Sequence, residues 1–94
     1  ELTSVDGGLV IVSNPNLESL AGFKNLESIN SGFLVSNNNR LISVMDMHHL
    51  TFVGDDFSIV DNEELCNSNS ETLLDQIIEH GGVGALIEIN NKSC

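Results

Sequence analysis

The chain has 94 residues, 14 of them Asp or Glu against three Lys or Arg, for a formal net charge of −11. That length allows one domain with one modest core, and that charge repels phosphate backbones and anionic lipid, which argues against nucleic acid and membrane surfaces as partners. A hydrophobic content of 40% argues against disorder, while four Phe with no Tyr or Trp leave little for stacking on sugars or for aromatic hot spots.

The chain repeats itself with a period of 24 residues: Leu2, Leu26 and Leu50 align, as do Val5, Ile29 and Val53. Further on, Leu9, Phe33 and Phe57 align, then Ile11, Val35 and Ile59, then Asn14, Asn38 and Asn62, and finally Leu17, Leu41 and Leu65. Within each repeat, the segments at 9–12, 33–36 and 57–60 are rich in β-formers with alternating apolar positions, which predicts short strands. Polar tetrads at 13–16, 37–40 and 61–64 follow and predict corners, because Asn, Asp and Pro tolerate or impose turn dihedrals. Beyond each corner the apolar residues come every third position, as in Leu17, Leu20, Phe23, Leu26 and Ile29. That spacing suits a steadily turning coil with one inward residue per facet. One strand, one corner and two facets make a rung of a parallel β-solenoid, in which Asn14, Asn38 and Asn62 form a structural ladder at one corner.

After Leu65 the pattern breaks. Leu73, Leu74, Ile77 and Ile78 mark one face of a helix over 71–80, with Ser68 and Glu71 as a capping box, Ser70 as an alternative N-cap and Gly81 as a left-handed stop. This helix is expected to cover the open end of the last rung, and Ala85–Ile89 to add one short terminal strand. Cys66 and Cys94 bracket this cap, either as two free thiols or as one disulfide. The disulfide is the expectation: closing a loop of about 29 residues is worth roughly 3–4 kcal/mol in the chain-entropy model, and it implies an oxidising compartment. Asn91 begins the single N-glycosylation sequon.

The stretches Gly8–Leu17, Gly32–Leu41 and Phe57–Cys66 carry a rung of the form Leu-x-x-Val/Ile-x-x-x-Leu/Phe-x-Ile/Val-x-x-Asn-x-x-Leu. This pattern resembles the receptor L domain, the leucine-rich-repeat-like right-handed β-helix of growth-factor and insulin receptor ectodomains and of shorter secreted microbial relatives. The closing Asn62–Cys66, the helix and Ile87–Cys94 resemble the disulfide-bonded cap of such relatives. The resemblance implies a mainly β, right-handed parallel solenoid capped by a C-terminal helix and short strand, located outside the cell or at its surface. It departs from the common leucine-rich repeat in placing Leu17, Leu41 and Leu65 three residues after Asn rather than two. The expected organisation is one domain over 1–94, with rungs at about 2–25, 26–49 and 50–65 and a cap over 66–94. Glu rather than Met at position 1, with no N-terminal cap before Leu2, leads to the expectation that the chain is the C-terminal part of a longer solenoid.

No catalytic constellation is legible. Gly7-Gly8 and Gly81-Gly82 are not phosphate loops, and Lys24, Arg40 and Lys92 sit in separate segments. His48, His49 and His80 lack the spacing of two ligands on one helix face. Asp55, Asp56 and Asp61 are the weak calcium candidate, set against a plain solvated acidic face. No cofactor is expected, and no enzyme. The outward strand positions Val10, Val12, Leu34, Ser36, Ser58 and Val60 form the candidate contact surface, because valines and a leucine facing solvent on a sheet are unusual. The expected function is a non-enzymatic binding or adhesion module for a protein or surface glycan. The alternative is a structural spacer or a homo-oligomer that stacks through its N-terminal face.

Overall fold

The computed structural model describes residues 3–93, so Leu2 of the first apolar column and Cys94 of the predicted disulfide lie outside the described residues. The fold is mainly β, with two parallel four-stranded sheets and one helix. The first sheet holds the two-residue strands β1 (Ser4–Val5), β3 (Ser28–Ile29), β5 (Phe52–Val53) and β7 (Gly82–Val83). The second holds the longer strands β2 (Leu9–Val12), β4 (Phe33–Ser36), β6 (Phe57–Val60) and β8 (Ile87–Asn90). The chain alternates between the sheets, and the helix α1 (Asn67–His80) lies between β6 and β7.

Register follows the sequence period. Leu9 pairs with Phe33 and Phe33 with Phe57, so each apolar column stands on its own equivalent one repeat away. The Phe33 and Phe57 rings lie 5.6 Å apart and tilted by 52°, a favourable aromatic arrangement inside the core. The spacing of three beyond each corner has a direct cause. Amide-to-carbonyl bonds close three-residue turns from Leu17 to Asn14, Phe23 to Leu20 and Leu26 to Phe23. They recur from Leu41 to Asn38, Met47 to Val44 and Leu50 to Met47. Each turn sends one apolar side chain inward, and Leu20, Leu26, Leu41, Val44, Met47 and Leu50 are all buried.

The C-terminal quarter differs from its sequence reading. Helix α1 begins at Asn67, four residues before the predicted start, with Cys66 as N-cap and no side-chain cap. Ser68 and Glu71 therefore form no capping box; Ser70 is instead buried, and its hydroxyl has no partner among the described residues. Gly81 is not left-handed; Gly82 is, at φ 92°. What Gly81 supplies is space, since a Cβ there would fall 2.4 Å from the Thr51 carbonyl oxygen. The helix stands where the turns 41–50 stand in the preceding repeat. It buries Leu73 and Ile77 in the core, and the Gln76 amide donates to the carbonyls of Met47 at 3.1 Å and Leu50 at 2.7 Å. The segment after it adds a strand to each sheet, β7 and β8, where one terminal strand was expected. Phe57 pairs with Ile87, six residues later than the 24-residue period would place its partner.

Candidate binding face

Two sets of side chains belong to the second sheet and its adjoining corner: a hydrogen-bonded asparagine column and an open outward face. At the corner, Ser13, Asn37 and Asp61 adopt left-handed φ of 54°, 56° and 57°, which ends each strand and swings the next residue toward the interior. That next residue is always Asn. Asn14 donates its backbone N–H and its Nδ2 to Asn38 Oδ1, and Asn38 does the same to Asn62 Oδ1. Asn38 Nδ2 also donates to the Ile11 carbonyl, and Asn62 Nδ2 to those of Val35 and Val60.

The column continues beyond the three residues legible in the sequence. Asn62 donates to Asn91 Oδ1, and Asn91 donates to Asn67 Oδ1 at the start of α1. Asn91 escaped the sequence reading for two reasons: the helix shifts its offset from Asn62 to 29 residues, and the left-handed residue is absent before it. Its Nδ2, the atom a glycan would occupy at the predicted sequon, donates to the Ile59 carbonyl at 2.8 Å and to Asn67. A glycan on Asn91 would displace these bonds from a half-buried position. The column therefore spends its side chains on bracing neighbouring repeats, with few left over for a ligand.

The outward face is different. Along β2, β4, β6 and β8 the paired outward positions are Val10, Leu34, Ser58 and Glu88, and beyond them Val12, Ser36, Val60 and Asn90. Val10 is 62% exposed and Val12 also faces solvent, whereas Leu34, Ser58 and Val60 are half-buried. Ser36 departs from the expectation at 8% exposure. Its short side chain sits between Val12 and Val60 in the row, and its Oγ accepts a hydrogen bond from Asn37 Nδ2. It therefore offers little surface on that face.

Ahead of these strands, Gly8, Gly32, Asp56 and Leu86 stand in line on the same face. Together with Val10, Leu34, Ser58 and Glu88 they line a groove of about 440 Å³. The repeated glycines add no side chains to its upper part, where Val10 and Leu34 supply the apolar wall. The buried Phe33 and Phe57 lie beneath it, and Leu86, 75% exposed, closes its lower end. None of Lys24, Arg40 or Lys92 lines it, so Asp56 and Glu88 give it a purely negative rim. The sequence reading placed Ser58 on this face but missed Leu86 and Glu88, which reach their register only through the residues inserted at α1. Gly8 and Gly32 were legible, as a glycine recurring at the repeat period just before a strand.

The calcium candidate is not assembled. Asp56 faces the groove, where its Oδ1 accepts the Leu86 N–H at 3.2 Å. Asp61 lines a separate polar depression with Asn37, Asn39 and Glu63. Among the described residues no three His, Cys, Asp or Glu side chains converge as a metal site would require. No helix among them is long and apolar enough to cross a membrane. In comparisons with known proteins, no family model, no curated protein and no solved structure matches this chain.

Proposed function

We propose that this chain is a non-enzymatic binding module of a secreted or cell-surface protein, built as a right-handed parallel β-solenoid of the receptor L-domain kind. The right hand rests on the parallel strands joined by crossovers within each sheet, a connection that is right-handed in nearly all proteins. The extracellular setting rests on the proposed Cys66–Cys94 bridge, supported by the pairing of Cys66 with Lys92, which precedes Cys94 by two residues in the sequence.

The observation that carries the binding reading is the groove itself. Val10, Leu34 and Leu86 present apolar surface in a concavity on an acidic shell, and the interior has no need of them. A phage-displayed random peptide library selected on the protein, with counter-selection on the double variant Val10→Glu, Leu34→Glu, tests it. Clones that bind the protein and not the variant support the groove. Clones indifferent to the substitutions, or no clones at all, overturn it.

A second reading, self-association, is favoured by one observation: Ile87 continues the Leu9–Phe33–Phe57 column yet remains 47% exposed, while Leu9 at the other end is half-buried. End-on stacking of two copies would join these columns. Light scattering across a concentration series decides it; a monomer at every concentration removes this reading.

A further inference from the structure

We propose that the groove accepts an extended protein segment carrying an apolar side chain and, two residues further on, a Lys or Arg. This deepens the reading of the groove as the binding face and rests on it. The two halves of the groove are unequal. Across β2 and β4 it is lined by Gly8, Gly32, Val10 and Leu34, with no charge; across β6 and β8 it carries Asp56 and Glu88.

Adjacent strands lie about 4.8 Å apart, so Leu34 on β4 and Glu88 on β8, two strands away, are separated by roughly 10 Å. In an extended segment, side chains at i and i+2 point the same way and start about 7 Å apart. The remaining 3 Å is within the reach of a flexible Lys or Arg stem, whose methylenes also cover apolar wall on the way. The charge of the partner follows from complementarity: the groove has two carboxylates and no basic group, on a chain of net charge −11. A glycan is disfavoured because the two aromatic rings in the lining, Phe33 and Phe57, are buried under the strands and offer no exposed face for stacking.

Gly32 provides a means of closing the site. A Cβ built there meets only the Asp56 carbonyl oxygen, at an ordinary contact distance of 3.8 Å, so the first atom of a side chain fits without striking backbone. Gly32→Val is therefore expected to fill the groove and leave the fold intact, which a thermal melt checks.

The test uses the clones from the library selection that lose binding to Val10→Glu, Leu34→Glu. Their sequences are expected to be enriched in apolar-x-Lys/Arg. Synthetic peptides from them should weaken about two- to fivefold against Glu88→Gln, the range of a solvent-exposed ion pair, and should weaken as salt rises. Replacing the peptide's Lys or Arg by Glu should cost about tenfold or more through like-charge contact. Gly32→Val should abolish binding of every such peptide. Groove-dependent clones without a basic residue, or peptides indifferent to Glu88→Gln and to salt, overturn this inference while leaving the binding-face reading standing. Basic peptides that bind Gly32→Val unchanged also overturn it, since they then associate elsewhere on the acidic surface. The absence of any groove-dependent clone defeats both readings together.

Discussion

The second and third repeats and the last turn of this chain use the same columns of residues to different effect. Phe33, Phe57 and Ile87 share one column and Val35, Ile59 and Ile89 another, yet the first two of each set are buried and the last are not. The side chains are equally apolar; what differs is whether a repeat lies on both sides. In a stacked repeat fold a residue is made interior by its neighbours along the stack, not by its own hydrophobicity. Phe57→Ala should therefore destabilise by about 3–5 kcal/mol, the usual cost of emptying a large core site, whereas Ile87→Ala should cost less than about 1 kcal/mol. Equal losses in chemical denaturation would mean that the last turn is covered in solution.

The asparagine column extends the contrast from apolar to polar groups. Asn62 is fully buried and serves both neighbours, while Asn14 at the upper end is exposed. Asn62→Ala leaves the buried Asn38 N–H without its acceptor and the Val35 carbonyl without its donor. At about 1–3 kcal/mol per stranded buried group, a loss of roughly 2–4 kcal/mol is expected. Asn14→Ala removes one bond at a solvated position and should cost about 1 kcal/mol or less. Urea unfolding of the two variants side by side measures the difference.

These pairs also explain how much of the molecule is legible in the sequence. Columns with a constant period, such as Leu9–Phe33–Phe57 and Asn14–Asn38–Asn62, are visible because each residue stands on its own copy. Helix α1 replaces a run of three-residue turns and shifts everything after it, so β7, β8, Asn91, Leu86 and Glu88 fall out of phase with the repeat. The groove was therefore readable from β2 to β6 through Val10, Leu34 and Ser58, and its β8 wall, with Leu86 and Glu88, was not. The burial of Ser36 was also invisible, since it depends on the Asn37 side chain and on Val12 and Val60 from adjacent strands.

Glycines separate the tightly stacked sheet from the open groove in a third way. A Cβ on Gly54 would lie 2.3 Å from the Asn30 carbonyl oxygen, against 3.8 Å from the Asp56 carbonyl oxygen for one on Gly32. Gly54→Ala forces adjacent backbones apart and should cost about 1–3 kcal/mol, as overpacking does, while Gly32→Ala should be close to neutral. A smaller effect is expected at the helix. Gln76→Ala removes a donor from the Leu50 carbonyl and one of two from the Met47 carbonyl, which keeps the Leu50 N–H, and should cost about 1 kcal/mol at this half-buried site. Thermal melts of the three variants rank these effects.

The smallest expected change is the one that bears most directly on function. Val10 and Val35 stand on neighbouring strands with opposite faces, one exposed and one buried. Val→Thr keeps the β-branched shape and exchanges one methyl for a hydroxyl, so it isolates the polarity of each site. Val35→Thr puts that hydroxyl among apolar neighbours and should cost about 1–3 kcal/mol. Val10→Thr leaves it in water and should change stability by no more than about 0.5 kcal/mol. If Val10 serves neither the fold nor a ligand, neither stability nor binding should respond to its substitution. If it serves a ligand, Val10→Thr should weaken groove-dependent peptides without moving the melting temperature. A shift in the melt of the size seen for Val35→Thr would instead make Val10 part of the packed interior, and the groove would lose its apolar wall as an argument for binding.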